Sequence, residues 1–247
     1  MLMCAKYAAS PNFFGYCGPA KSSNIIDHLR SDIADQELKY IISEFETLYP
    51  YLQLIARING IDDPFDNRVV EAYWIGNSLL NKIKKNEYLN FLQERLFLDK
   101  KLPKVSFQKI KHKIALTPFL PHHSFHVFNI FRRTGHDPNF QTIETMDECR
   151  INYGQIQKSK NDKLKFKGLN KFIVKARRLM ITENKLYLSE PSIREINGDY
   201  KGKKFIRELK EGEWVSFHWG HICDVLTERQ VNNLEFYTQK AIKFYNS

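Results

Sequence analysis

The chain lacks the signatures by which common enzymes announce themselves. Its 247 residues contain no Gly-x-Ser-x-Gly elbow, no phosphate-binding loop ending in Gly-Lys-Ser/Thr and no dinucleotide fingerprint. Standard serine hydrolase, nucleotide-hydrolase and nicotinamide oxidoreductase readings are therefore excluded. No apolar run approaches the roughly 18 residues that a membrane-spanning helix needs. The opening residues, Met1 to Tyr7, lack the apolar stretch of a signal peptide. The expectation is a soluble cytoplasmic protein with no membrane partner. The four cysteines (Cys4, Cys17, Cys149 and Cys223) form no Cys-x-x-Cys pair. A disulfide framework is not expected, and a buried free thiol is the plainest reading of any one of them.

What is present is a core-forming composition and an excess of positive charge. Hydrophobic residues make up 43% and aromatics 13%, enough for a buried core and against global disorder. The net charge is +10, with an excess of basic residues in both halves. Two stretches are locally basic. Lys100 to Lys113 carries six lysines, and Lys158 to Arg178 carries nine basic residues against Asp162 alone. Such stretches either face nucleic acid or an acidic partner, or are solvated surface.

Apolar spacing divides the chain. The first twenty residues, with Pro11, Gly15, Gly18 and Pro19, read as irregular. Helical periodicity then places helices after Asn24, over Asp35–Leu48 up to Pro50, and over Tyr51–Ile58 with a stop at Asn59-Gly60. Further helices are predicted from an Asp62-Asp63-Pro64 cap to Leu80, over Asn86–Phe97 and over Ser106–Leu116. Beyond residue 140 short alternating runs predict strands at Ile151–Gln157, Leu164–Gly168, Phe172–Arg178, Lys185–Ser189 and Trp214–Trp219. A last helix follows Thr227, whose capping box closes at Gln230. The predicted fold class is α+β: an α-helical domain over 1–140, then a small OB-like β-barrel with a C-terminal helix over 141–247.

Three groups of residues carry candidate chemistry. His122, His123 and His126 are three of the eight histidines within five residues. On a helix His122 and His126 share a face at metal-chelating spacing, whereas on a strand His122, Ser124 and His126 would. The alternative is a set of histidines bonded to backbone at a domain junction. The residue after His122 is a histidine, not the glutamate of a zinc protease, so that chemistry is not supported. Phe14-Gly-Tyr-Cys-Gly-Pro19 sets Tyr16 and Cys17 between two glycines, in a form that suits either an exposed thiol or a tight turn. His218-Trp-Gly-His221 lies where the last strand is expected to meet the last helix. There Ser216 and His218 would face one way and Phe217 and Trp219 the other. A histidine close to Cys149 would make a Cys/His pair, able to ligate a metal or to act as a hydrolytic dyad. The acidic run Asp62 to Asp66 with Arg68 reads as helix capping and not as a calcium loop.

Two resemblances add context. The frame Cys149…Gly154…Gly212-x-x-Val215-x-x-His218…Leu226-Thr227 resembles the HypC/HupF chaperones of [NiFe]-hydrogenase assembly. The words Gly15-Tyr-Cys-Gly-Pro19, Val69 to Asn77, Pro121 to Phe128 and Cys149 to Gly154 make the whole chain similar to an uncharacterised bacterial family found among [NiFe]-hydrogenase genes. The resemblance implies a ligand-like role for Cys149 and His218 toward an iron fragment, with the hydrogenase large subunit or other maturation proteins as partners. The leading expectation is therefore a hydrogenase maturation or metallocentre chaperone. Iron or another transition metal would be held by Cys17, His122, His123, His126, Cys149 and His218, with Tyr16, Cys17, Trp74 and Cys149 touching the cargo. The alternatives are a Cys/His enzyme acting on a small cofactor precursor and a basic OB-like protein binding single-stranded nucleic acid.

Overall fold

The computed structural model describes residues 1–20, 22–130, 142–157 and 171–247. The helical part comprises α1 (Leu2–Phe13), α2 (Ser22–Ser31), α3 (Gln36–Ser43), α4 (Leu48–Asn59), α5 (Asn67–Trp74), α6 (Lys85–Asn90), α7 (Leu98–Lys101) and α8 (Lys104–Leu116). A single turn, α9 (His123–Phe125), runs into a π-helical turn at His126–Ile130, and α10 (Ile143–Cys149) leads into the strands.

The strands are β1 (Asn152–Ile156), β2 (Lys171–Ala176), β3 (Leu179–Thr182), β4 (Lys185–Leu188), β5 (Ser192–Asn197), β6 (Trp214–His218) and β7 (His221–Leu226). Five of them close into a barrel in the order β1-β2-β5-β7-β6, while β3 and β4 pair as a separate hairpin. All barrel pairings are antiparallel except β5 with β7. Val174, Ile196, Val215, Phe217 and Ile222 fill the barrel interior. Helix α11 (Glu228–Asn246) starts on the expected capping box, with the Thr227 hydroxyl accepting from Gln230 N–H. It folds back over the helical part. Tyr237 Oη donates to Asn77 O at 2.7 Å, and Asn233 Nδ2 to Gly76 O at 3.0 Å. Gly76 has φ +100°, and a Cβ there would lie 2.1 Å from the Tyr237 ring. Only glycine fits where this helix docks.

The mixed fold with a helical N-terminal region and a C-terminal helix agrees with expectation. Several local expectations do not. Residues 2–13 form a helix, not an irregular segment. It is buried on nearly every side, at Cys4, Ala5, Tyr7, Ala8, Ala9, Ser10, Pro11 and Asn12, so it has no polar face to give an amphipathic period. Pro50 ends nothing, because it lies in the first turn of α4, where no intrahelical N–H bond is lost. The cap of α5 is Asp66, not Asp62 or Asp63. Its carboxylate accepts from Arg68 N–H and also pairs with the Arg68 guanidinium, so the capping reading holds with the acid moved. His218 does not lead into the last helix, since a two-residue turn returns the chain through β7. Strands β3, β5 and β7 were not foreseen. The expected strand at 164–168, the breaks at Gly135 and Pro138, and most of the 158–178 basic run lie outside the described residues. No helix among the described residues is long and apolar enough to cross a membrane.

A buried ion network joins α10 to the strands. Asp147 pairs with Arg150 at 2.9 Å and with Arg194 at 3.1 Å, and Arg194 also reaches Glu148 at 2.8 Å. Asp147, Arg150 and Arg194 are all buried. Removing one partner leaves uncompensated charge in a medium that solvates it poorly. Asp147→Ala is therefore expected to lower the unfolding free energy by about 3–5 kcal/mol, read from urea denaturation. A loss within the scatter of exposed surface substitutions would show that the network carries no stability.

Candidate metal centre

The cavity that matters lies where α1, α5, α9, α10 and the β6–β7 turn meet. Its wall includes Tyr16, Cys17, Tyr73, Trp74, His123, His126, Cys149, His218 and Trp219, and its volume is about 60 Å³. Among the described residues no carboxylate lines it. Ligand-capable atoms of His123, Cys149 and His218 all lie within 4.8 Å of one another. Three elements deliver them: α9 brings His123, the last residue of α10 is Cys149, and the last residue of β6 is His218.

Hydrogen bonding fixes the tautomers of both histidines. His123 Nε2 lies 2.8 Å from the Cys149 carbonyl, which can only accept, so Nε2 carries the proton. Its Nδ1 lone pair then accepts from the Tyr73 hydroxyl at 3.2 Å. His218 Nδ1 lies 2.8 Å from the Tyr7 carbonyl and is protonated by the same argument, which puts the lone pair on Nε2. Each ring thus donates one N–H to backbone, as metal-ligating histidines do, and a metal at His123 Nδ1 would displace the Tyr73 hydroxyl. Around an ion, bond lengths of about 2.0–2.3 Å imply ligand separations near 3.5 Å, so closure requires shifts of about 1 Å.

Aromatic rings enclose the group. Trp74 lies with its ring centroid 4.6 Å from His123 and 5.9 Å from His218, and stacks on Tyr7 at 5.6 Å. Tyr16 packs on Trp219 at 4.2 Å, both half-buried. Trp219 and Gly220 have φ of +50° and +68° and form the two-residue turn between β6 and β7. Left-handed φ at both positions matches the twist of a tight hairpin. It costs a tryptophan on the order of 1 kcal/mol. The Trp219 N–H donates to Glu148 O at 3.0 Å, which ties the turn to α10.

The expected site residues separate. Cys17, His123, His126, Cys149, His218, Tyr16 and Trp74 share the cavity. His122 does not line it. Its Nε2 lies 3.1 Å from Trp74 O, and its Nδ1 accepts from Ser124 N–H at 3.2 Å, so both nitrogens serve the fold. His126 lines the wall but bonds through Nδ1 to the Tyr51 hydroxyl at 3.0 Å, which meets the Tyr88 hydroxyl at 2.7 Å. It stands outside the close group of three. The shared face of Ser216 and His218 is observed, both meeting Tyr7 while Phe217 enters the barrel interior; Trp219, expected beside Phe217, instead lies in the turn and lines the cavity with His218. Cys4 and Cys223 are buried away from the cavity wall. Burial pushes the Cys4 thiol up to about 12 and the Cys223 thiol well above the ordinary range.

A family model described as a family of unknown function, DUF6390, matches residues 1–247. The chain belongs to this family. No curated protein and no solved structure matches it.

Sequence reasoning overlooked Tyr7, Tyr73 and Trp219 in this DUF6390 chain. The Trp219-Gly220 pair between two alternating runs was a legible turn signal. Nothing local marks Tyr7 or Tyr73, because their roles arise from elements distant in sequence.

Desolvation holds the clustered histidines neutral. His122 is pulled down to about 3 and His126 to about 4. Burial, then the neighbouring His218, keeps His123 well below its usual range. In the unfolded chain each takes a proton near pH 6.5. Folded stability should therefore be intact above about pH 6.5 and fall as pH drops below it, by about 1.4 kcal/mol per unit for each histidine and up to about 4 for all three. Thermal unfolding followed from about pH 7.5 to 5 checks the slope. A midpoint indifferent to pH over that range would contradict neutral burial.

Proposed function

We propose that this protein is a metallocentre accessory protein. It holds a transition metal, or a small precursor built on one, through His123, Cys149 and His218, with Cys17 on the same cavity wall, and passes it on. The observation that carries this reading is the convergence of one thiol and two imidazoles, His123 held neutral by burial, on an apolar cavity with no carboxylate among its described lining residues. Such donors suit iron, cobalt, nickel or zinc and not magnesium or calcium. A volume near 60 Å³ accommodates an ion with a few further atoms and excludes a nucleotide or a peptide.

The Cys/His enzyme alternative fits less well. A nucleophilic thiolate beside histidine draws on imidazolium charge, whereas burial keeps His123 neutral. Neutral imidazole is the form that metals bind.

The resemblance to HypC/HupF chaperones narrows the cargo to iron and the recipient to the large subunit of a [NiFe]-hydrogenase. With the β3–β4 hairpin set aside, the barrel runs first-second-third-fifth-fourth with its third and fifth strands parallel, an order we read as OB-type. Cys149 is internal at the end of α10, so cargo leaves past Tyr16 and Trp219 and not from an exposed terminal thiol. A cytoplasmic location fits this use, since it keeps the thiols reduced.

Anaerobic purification followed by metal analysis and titration with Fe(II), Co(II) and Zn(II) tests the reading. Wild type should bind about one ion per chain, and cobalt should show a sulfur-to-metal charge-transfer band. Cys149→Ala should lose that band and weaken binding by more than the roughly 10–100-fold typical of supporting residues. Wild type that takes up none of these ions would end the proposal. Infrared bands of bound CN or CO test the iron cargo separately. Metal binding without them would leave the site and remove the hydrogenase precursor.

A further inference from the structure

Pro11 lies inside α1, where proline costs a helix about 3 kcal/mol. In a regular helix the N–H of residue 11 would donate to the carbonyl of Tyr7. Proline has no N–H, and its ring crowds that carbonyl and turns it off the helix axis. The Tyr7 carbonyl is the group that accepts from His218 Nδ1 at 2.8 Å. The strand carrying His218 is also fixed to the same tyrosine, with Ser216 Oγ 3.2 Å from Tyr7 Oη, and Lys6 pairs with Asp224 on β7 at 3.0 Å.

We infer that Pro11 is a positioning residue for the metal site: by leaving the Tyr7 carbonyl without a helical donor, it makes that carbonyl the acceptor that fixes the tautomer and orientation of His218. Proton on Nδ1 means lone pair on Nε2. A restored N–H at position 11 competes for the carbonyl and draws it back along the axis. The ring of His218 then loses its one-sided constraint, and Nε2 no longer carries the lone pair in every molecule. The same residue seats the neighbouring donor loop, because Pro11 O accepts from Tyr16 N–H at 2.7 Å and from Cys17 N–H at 3.2 Å. A helix-breaking residue in a largely buried helix is in this way tied to both ends of the donor set.

This inference rests on the metal reading for its functional consequence but not for its structural one. Pro11→Ala restores the N–H, and Pro11→Gly, which restores it with the Cβ removed as well, is the second variant should the alanine variant fail to fold. Two measurements decide it. Imidazole nitrogen NMR of the metal-free protein should show His218 locked as the Nδ1–H tautomer in wild type and mixed in the variants. Co(II) affinity, by competition titration, should fall about 10–100-fold, while the thermal midpoint of Pro11→Ala stays level or rises as the helix regains its bond. A purely structural proline would give the opposite pair, lower stability with unchanged affinity. An unchanged tautomer overturns the inference. If wild type binds no metal, the proposed function fails while the tautomer measurement still judges Pro11.

Discussion

Asp147 is a buried carboxylate, and the placement of the thiol two residues later follows from how its charge is satisfied. Taking an ion out of water costs several kcal/mol, which only well-directed partners offset. Asp147 Oδ1 accepts from Arg150 Nε at 3.0 Å and Leu179 N–H at 2.8 Å, and Oδ2 accepts from Arg194 Nη1 at 3.1 Å. The guanidinium groups are satisfied in turn. Arg150 donates to Arg177 O, and Arg194 donates to Asn152 Oδ1 and lies over the Phe217 ring. Asn152 Nδ2 closes the circuit on the Asp147 carbonyl at 2.6 Å. The directions of these bonds fix α10 against β1, β3, β5 and β6 at once. A hydrophobic contact of the same size would hold the elements together without fixing their rotation. Cys149 and His218 therefore meet at a set angle.

On the other side of the cavity the constraint is backbone geometry. Gly15 and Gly18, at φ +69° and +83°, bracket Tyr16 and Cys17. A Cβ on Gly18 would stand 2.4 Å from the Phe45 ring, which itself lines the cavity. Asn12 reaches across the bend to Cys17 O and Pro19 O. The loop is thus packed from below and pinned from within, and Tyr16 is left to lie on Trp219. The left-handed turn at Trp219 makes sense in this setting. Its strain places an aromatic ring in the cavity wall against Tyr16, where an asparagine or glycine would relieve the backbone and remove that ring.

What could be read from the sequence was whatever depends on local pattern. Helices α2 to α6 and α8 announce themselves by apolar spacing, α7 does not, and Thr227 with Gln230 marks the start of α11. Cys17, Cys149, His123, His126 and His218 were legible as metal-capable residue types, and the structure brings all five to one cavity. Helix α1 was not legible, because a helix buried all round shows no period and its Pro11 argues against it. The exposed Met180, Ile181 and Ile193 blur the alternation of β3 and β5, and β7 opens on three successive buried residues, His221, Ile222 and Cys223, which show no period of two. Nor could the sequence say which histidine does what, since that choice depends on partners from α4, α5 and α1.

The Pro121–Phe128 segment shows how such a choice is made. Three histidines in five residues suggest one shared task, yet the chain passes there from α9 into a π-helical turn. Each ring leaves the backbone at its own angle into a different neighbour. His122 meets the end of α5 and holds the Trp74 carbonyl; His126 meets Tyr51 on α4. Only His123, between them, points at Cys149 and His218. His122 is the N-cap of α9, in extended backbone at φ −83° and ψ 160°, and its ring is turned back onto Ser124 N–H, so it does not stack on His126 although His126 N–H bonds to His122 O. Two of the three imidazoles are then used as neutral hydrogen-bonding groups that seat the aromatic wall, and the third is left with geometry fit for a ligand. The density of histidine marks the place, while its chemistry follows from where the helix begins and from the partner each ring meets.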